Sequence, residues 1–382
     1  MALRSSATNR SSGELRSPWR PEGRRYDMSR APRRDPLGAA VDATRRMSGR
    51  ILVIGGQGVL GTFIASALAE AGHRVLRGGR RRESDPSLRL LDLDRPETVG
   101  PACGEVDLVV NSVPHPGLVP ERAVLRQGGA LLNIASMSAA ERARLNAEAD
   151  AARGLVVVHA GLAPGVVNLV AADMLAAYPD ADSVEIALTL SASGSAGKAG
   201  GGFGYRVFTG SAHHRTVDIP FPAPVGRRAC LEVSLEEEGW LGGASRVRQQ
   251  HLYVTLLDRL PDFGMRFANA LRIISLLPRA AFFAGRGGVP AELSREAICE
   301  WVAVGREGRR MTVRTVEGYG DYRMTTAATV VFAEALLRRR EADLANRNGV
   351  CGVEDLFSLR ELQPALEAGG LRITERPDLV RP

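Results

Sequence analysis

The period of the apolar positions changes several times along the chain, and those changes outline its elements. Ile51-Leu52-Val53-Ile54 is a short continuous apolar run, the pattern of a strand buried on both faces. Phe63 to Ala71 follows, with Ile64, Ala65 and Leu68 at helical spacing. Further strands are predicted at His73–Leu76, Arg89–Leu93, Asp107–Val113, Ala130–Ala135 and Leu155–His159. Between them a helix is predicted over Leu118–Gln127. A second starts at the capping pair Ser138 and Glu141 and runs to about Arg153. Regular alternation of this kind implies an α/β chain: a doubly wound parallel sheet with helices on both faces.

The pattern changes after about Pro179. Strands are predicted at Val184–Leu190, Tyr205–Thr209, Ala229–Leu235 and Leu252–Leu257, with a glycine-rich loop over Ser191–Gly204. Phe267, Leu271, Ile274 and Leu277 repeat at helical spacing. Ile298–Val304 and Arg310–Val316, joined by Gly305 to Arg309, predict a hairpin. Thr325–Arg340 predicts a helix whose three closing arginines suit its C-terminus. The expected organisation is a disordered arm over 1–48, a first domain over 49–179, an α+β substrate and dimerisation domain built on an antiparallel sheet over 180–323, and C-terminal helices over 324–382 packing back on the first domain.

The net charge of +7 belongs to the arm. Residues 1–50 carry 12 arginines against five carboxylates, and the remainder balances at 38 basic and 38 acidic residues. The body is therefore not expected to bind nucleic acid. The arm reads as a solvated tail, or as a stretch preceding a true start at Met28 or Met47. Cys103, Cys230, Cys299 and Cys351 are too dispersed for a zinc site or a disulfide framework, so no metal and a reduced, cytoplasmic setting are expected. Met265–Phe283 is broken by Arg266, Arg272, Pro278 and Arg279, so no membrane span and no membrane partner are expected; the alternative, a lipid-directed reductase at a membrane surface, is motivated by the arginines interspersed in apolar Phe267–Phe283. A homodimer is the base expectation for such a chain.

The chemistry-bearing feature is Gly56, Gly58 and Gly61, spaced G-x-G-x-x-G between the first strand and the first helix. Gly56 is assigned the tight turn, Gly58 the close approach to a diphosphate, and Gly61 the close packing of helix on strand. Gln57, Val59 and Leu60 lie within the same loop, whose free N–H groups face the phosphates. This is the signature of a Rossmann-type dinucleotide-binding domain. The second strand leads into Arg77-Gly78-Gly79-Arg80-Arg81-Arg82, with no acid before Glu83. Arg80 and Arg81 are therefore assigned to a 2′-phosphate, which makes the expected cofactor NADP; the other reading is solvated loop charge. Asp92 and Leu93 are expected beside the adenine, and Asn111, Ser112 and Val113 beside the nicotinamide ribose.

Three segments resemble the saccharopine dehydrogenase-like reductase family. They are the Gly56–Gly61 loop, the run Gly161-Leu162-Ala163-Pro164-Gly165-Val166-Val167-Asn168-Leu169, and Asn348-Gly349-Val350 through Glu354-Asp355-Leu356-Phe357. The resemblance implies a dinucleotide-binding domain with an inserted α+β substrate domain. It also implies nicotinamide-dependent oxidation or reduction at a C–N bond, often of amino-acid-like molecules; related members act on other carbonyl or lipid substrates.

Lys198 is the only lysine in the chain, and Gly194 stands four residues before it. The Tyr-x-x-x-Lys pair of short-chain dehydrogenases and epimerases is therefore absent. Candidates for proton transfer are His115, Lys198, Tyr205, His213 and His214. His115 is also open to reading as a loop histidine, and Lys198 as part of a lid or of a mobile surface loop. Asn168 either orients the substrate or nicotinamide, or caps a helix. Arg206, Arg246 and Arg323 are candidate carboxylate clamps for a small-molecule substrate.

Overall fold

The continuous apolar runs become the strands of a parallel sheet because each is covered on both sides. The computed structural model describes residues 48–81, 84–135, 137–148, 153–191, 198–234, 247–282, 296–340 and 348–380. The arm, residues 192–197 of the glycine-rich stretch, the Lys198 side chain and Arg246 lie outside these residues. The strands are β1 (Arg50–Ile54), β2 (Arg74–Gly79), β3 (Leu88–Leu90), β4 (Leu108–Asn111), β5 (Ala130–Asn133) and β6 (Leu155–Val158). Interspersed are α1 (Val59–Glu70), α2 (Val99–Gly104), α3 (Val119–Gln127), α4 (Ala139–Glu148) and α5 (Val166–Ala177). The spatial order is β3-β2-β1-β4-β5-β6, so the winding reverses between β1 and β4 and opens a crevice at their carboxyl ends. Ser138 and Glu141 cap α4 as expected: the Glu141 amide donates to Ser138 Oγ, and Ser138 N donates to Glu141 Oε2 at 2.8 Å. The short α2 escaped the sequence reading because two of its six residues are glycine and one is proline. Burial of Val99, Ala102 and Cys103 holds it in place.

The rest of the chain forms a second sheet. Its elements are β7 (Ser183–Leu190), α6 (Lys198–Thr209), β8 (Thr216–Pro220), β9 (Arg227–Val233), β10 (Gln249–Leu256), α7 (Arg259–Ala270), β11 (Ala297–Arg306), β12 (Arg309–Tyr319) and α8 (Asp321–Arg340), followed by β13 (Gly349–Gly352), α9 (Val353–Leu356), α10 (Leu359–Ala368) and β14 (Arg372–Glu375). The order is β14-β12-β11-β7-β10-β9-β8, antiparallel except for the parallel pair β7 and β10. The β11–β12 hairpin turns through Glu307 and Gly308, both left-handed (φ 53° and 74°), the backbone of a two-residue type I′ turn.

Three segments differ from the sequence reading. Helix α6 starts at Lys198, inside the stretch read as a glycine-rich loop, and Tyr205–Thr209 closes it and is not a strand; five residues are too few to separate a strand from a buried helical turn. The helical spacing from Phe267 to Leu277 is interrupted. Helix α7 ends at Ala270, Arg272 is left-handed (φ 59°), and a 3₁₀ turn follows at Ile274–Leu276. The C-terminal segment supplies strands as well as helices. β13 joins the first sheet beside β6, and β14 joins the second beside β12. Four residues each are too few to display a period.

Residues Met47–Pro382 form one compact unit. Helix α5 packs against β11 and β12, and α8 against α1, β5 and β12. One apolar core thus runs from Ile51 and Val53 of the first sheet through Phe332 of α8 to Ile186 and Val302 of the second. The change near residue 180 is a change of sheet within one core. Two polar ties cross it: Thr329 Oγ1 donates to the Ala160 carbonyl at 2.9 Å, and Arg314 pairs with Asp173 at 2.5 Å.

Glu300 is buried in β11, where one carboxyl oxygen accepts the Thr189 N–H at 3.1 Å. Burial pushes its pKa well above the ordinary 4.5. The native state therefore holds this proton more tightly than the unfolded chain does. Its contribution is fully present below pH 4.5 and is lost as pH rises through the raised value. Glu300→Gln keeps an acceptor oxygen and removes the titration. Its melting temperature is expected to exceed the parent's by roughly 2–4 °C at pH 8, and to match it near pH 4.5, in a calorimetric pH series.

Candidate functional site

The loop between β1 and α1 is built by backbone contact. Gly55 is left-handed (φ 83°), and a Cβ there would fall 2.5 Å from Ser112 Oγ and 2.6 Å from Val113 Cγ2. A Cβ at Gly56 would stand 2.8 Å from that of Arg77 on β2. One at Gly61 would stand 2.2 Å from the Gly55 carbonyl oxygen. The tight turn therefore belongs to Gly55, and Gly56 serves the approach to β2, a correction to the sequence assignment. Gly61 lets the helix close on the turn itself. A Cβ on Gly58 would meet only the Gly55 oxygen, at 3.2 Å, and would otherwise point into open space.

The Thr62 amide is the one bonded to the Gly58 carbonyl. The amides of Val59, Leu60 and Gly61 precede it, and no side chain caps the helix start at Gly58. First-turn donors are thus turned toward a cavity of about 560 Å³. The same cavity is walled by Gly78 to Arg81 from the end of β2, Leu91 to Asp94 after β3, and Ser112 to His115 after β4.

Gln57 couples the loop to β2. Its side-chain amide donates to the Arg81 carbonyl at 2.8 Å and its oxygen accepts the Arg81 N–H at 3.0 Å. The Arg81 guanidinium in turn donates to the Gln57 carbonyl at 3.0 Å. Gly79 makes this clasp possible, since a Cβ there would collide with Gln57 Oε1 at 2.1 Å. Arg80 is exposed at the cavity edge and has no polar partner among the described residues.

Of the residues singled out in the sequence, Gln57, Gly58, Val59, Leu60, Gly61, Arg80, Arg81, Asp92, Leu93, Ser112, Val113 and His115 come together on this cavity. Gly56 and Asn111 do not line it. Asn111 is buried and donates from Nδ2 to Glu121 Oε1 at 2.7 Å, while Asn133, its register partner on β5, donates to the same oxygen at 2.8 Å. Each asparagine Oδ1 then accepts a loop amide, Val113 N at 3.0 Å and Ala135 N at 2.7 Å. Glu121 on α3 thus fixes the loops leaving two strands, and burial raises its pKa. Asn168 is also buried: its Oδ1 accepts the Gly165 N–H at 2.9 Å and caps α5. Capping of α5 thus displaces the assignment of Asn168 to substrate. A Cβ at Gly165 would stand 1.8 Å from the Gly161 oxygen, so the second motif is a turn at full backbone contact.

His115 lies on the cavity wall with both ring nitrogens engaged. Nδ1 accepts the Gly117 N–H at 3.2 Å, and Nε2 faces Asp94 Oδ1 at 3.4 Å. The other proton-transfer candidates lie elsewhere. His214 sits between the Phe208 and Glu232 carbonyls, His213 contacts the Asn269 carbonyl, and Tyr205 packs edge-on against Phe282. Sequence reasoning missed Gly55, Gly79, Asp94 and Tyr322. Gly55 was legible as the first half of the doublet Gly55-Gly56, and Gly79 as the second half of Gly78-Gly79 at the end of β2. Tyr322, in the first turn of α8, carried no signal; it is the one described lining residue from outside positions 54–115.

Residues 51–137 match the NAD dependent epimerase/dehydratase family. No curated protein sequence matches the chain. Among solved structures, it is similar to saccharopine dehydrogenase (L-Glu forming) from Saccharomyces cerevisiae at 12% identity and TM-score 0.49, over 86% of this chain and 100% of that one. A mutant meso-DAP dehydrogenase from Clostridium tetani gives 12% and 0.45, over 83% and 95% of the two chains. A dihydrodipicolinate reductase from Paenisporosarcina sp. gives 12% and 0.38, over 81% and 100%. These likenesses concern the course of the chain and not its chemistry.

Substitutions at two positions test the construction of the site. Gly55→Ala is expected to cost about 1–3 kcal/mol of stability, from positive φ and collision with Ser112 and Val113, by urea titration. Glu121→Ala strands two buried amides and is expected to cost about 2–4 kcal/mol, whereas Glu121→Gln, which retains an acceptor, costs about 1 kcal/mol or less by the same measurement.

Proposed function

We propose that the chain is an NADP-dependent oxidoreductase that moves a hydride to or from a C=N or C=O carbon of a small polar metabolite, an imine or amino-acid derivative. The observation that carries this reading is the α1 start: uncapped first-turn amides, held by full backbone contact at Gly55 and Gly61, facing a cavity large enough for a nucleotide. In this reading those amides receive the diphosphate. Arg80, unpaired at the end of β2, receives the 2′-phosphate as a planar donor fork. Asp92 and Leu93 border the adenine, and His115, tied to Asp94, closes that end of the wall.

A bound nicotinamide would supply the hydride chemistry; the chain supplies position and a proton. Tyr322 is the candidate proton donor, because its helix is where the second half of the molecule reaches the cavity. Arg323, exposed beside it, is the candidate partner for a substrate carboxylate. The matched epimerase family concerns the nucleotide half alone. Without Tyr-x-x-x-Lys this chain does not carry that family's proton relay, and the substrate class follows instead from the saccharopine dehydrogenase-like motifs.

The two arginines are expected to separate in a binding experiment. Arg80→Ala should weaken NADPH roughly tenfold in calorimetry and leave NADH nearly unchanged. Arg81→Ala should weaken both, because it removes the guanidinium bond to the Gln57 carbonyl and leaves the glycine loop held by the two bonds to the Arg81 backbone alone. Equal affinity of the parent for NADPH and NADH would overturn the NADP assignment. Heat from neither nucleotide would overturn the enzyme reading. Binding without turnover over an imine and ketone panel would favour a nucleotide sensor.

A further inference from the structure

Helix α7 is turned inside out. Its buried side carries Asp262 and Asn269. Asp262 Oδ1 accepts the Thr255 hydroxyl at 3.1 Å, and Oδ2 accepts the Arg266 guanidinium at 2.9 Å. Asn269 makes a two-way amide pair with the His214 backbone, at 2.7 and 2.9 Å. Buried hydrogen bonds thus tie the helix to β10 and to the segment before β8, beside the core contacts of Ala268 and Met265. Apart from Ala268 and Met265, which pack on the core, its apolar residues face away. Leu260, Phe263, Phe267 and Leu271 are 81%, 60%, 55% and 53% exposed and form one stripe, with the two phenyl rings stacked at 6.1 Å. Leu276, in the 3₁₀ turn that follows, is 77% exposed.

Charge selects the occupant of this face. From Arg259 to Phe282 the acidic residue is the buried Asp262, whereas Arg259, Arg272 and Arg279 are exposed. A second copy of the chain, paired about a two-fold axis, would set this arginine rim against itself. An anionic bilayer satisfies both features. Acyl chains receive the stripe, headgroup phosphates receive the guanidinium groups, and the arginine stems lie along the apolar edge. We propose that α7 and the turn after it are a monotopic docking face for an anionic lipid surface. No helix among the described residues is long and apolar enough to span a membrane, so the contact is in the plane of the interface. The proposal is independent of the cofactor reading.

The test uses the full chain and vesicles of phosphatidylcholine with or without phosphatidylglycerol. The arm's 12 arginines within residues 1–50 will themselves attract anionic vesicles, so flotation of the parent alone decides nothing. The deciding comparison is the double variant Phe263→Ser/Phe267→Ser. Its partitioning onto phosphatidylglycerol vesicles is expected to fall roughly tenfold, with the melting temperature unchanged. In a second arm, Phe263→Trp should show emission quenched by brominated acyl chains relative to the parent. Equal flotation of parent and double variant, or absence of that quenching, overturns the proposal. So does light scattering that shows a dimer split by the double variant, or a protein partner that the variant loses while lipid binding persists.

Discussion

Contact between the Gly55 carbonyl and the space where a Gly61 side chain would stand sets the position of everything around the cavity. With 2.2 Å between that oxygen and any Cβ, α1 sits on its own turn and its first amides clear the loop. The same turn presses Gly56 against β2, so strand and helix share one fixed point. Gln57 then reaches across Gly79 to grip the Arg81 backbone, which carries the arrangement to the edge where a 2′-phosphate would lie. The third wall depends on a different group. Glu121 holds Asn111 and Asn133 together, and through them the amides of Val113 and Ala135. A carboxyl group on the far side of the sheet end thus shapes the loop that Gly55 leaves room for.

Strands buried on both faces announce themselves as unbroken apolar runs, which is why β1 and β4 to β6 were legible to within two residues or so at each end. Elements held by contacts distant in sequence were not. β13 and β14 are four residues long and exist because an edge strand was waiting for each. Asn111 shows the limit on side-chain roles. A polar residue closing a parallel strand reads the same whether it faces the crevice or turns inward, and only Glu121, ten residues on, decides. Tyr322 is further still from the residues it joins. Sequence pattern thus placed the residues around the glycine turn and gave no sign of Tyr322.

The motifs that carry the family resemblance meet in space, and this explains what they encode. His159, left-handed at φ 61°, closes β6 and stands 3.6 Å from Glu354, whose segment follows β13 beside it. Asn168, from the second motif, lies 3.5 Å from the same ring. The Gly161–Asn168 turn and the Glu354 helix are therefore joinery between the last strands of the first sheet and α5. These two segments are fixed by backbone contact and buried pairing, and none of their residues lines the cavity. Of the three resembling segments, the Gly56–Gly61 loop alone reaches the cavity.

The described wall of the cavity lies within positions 54–115, apart from Tyr322. Tyr322 belongs to a helix packed between the two sheets, and Thr329, two turns further along α8, bonds to the Ala160 carbonyl beyond β6. Since one core passes through α8 into both sheets, Tyr322 is fixed relative to the glycine turn by the same packing that holds the fold. Separating the two halves would expose Phe332, Val302 and their neighbours to water, which costs far more than one substrate contact returns. What the second half of the molecule brings to the cavity is therefore Tyr322 on α8, held in place relative to the glycine turn by the shared core.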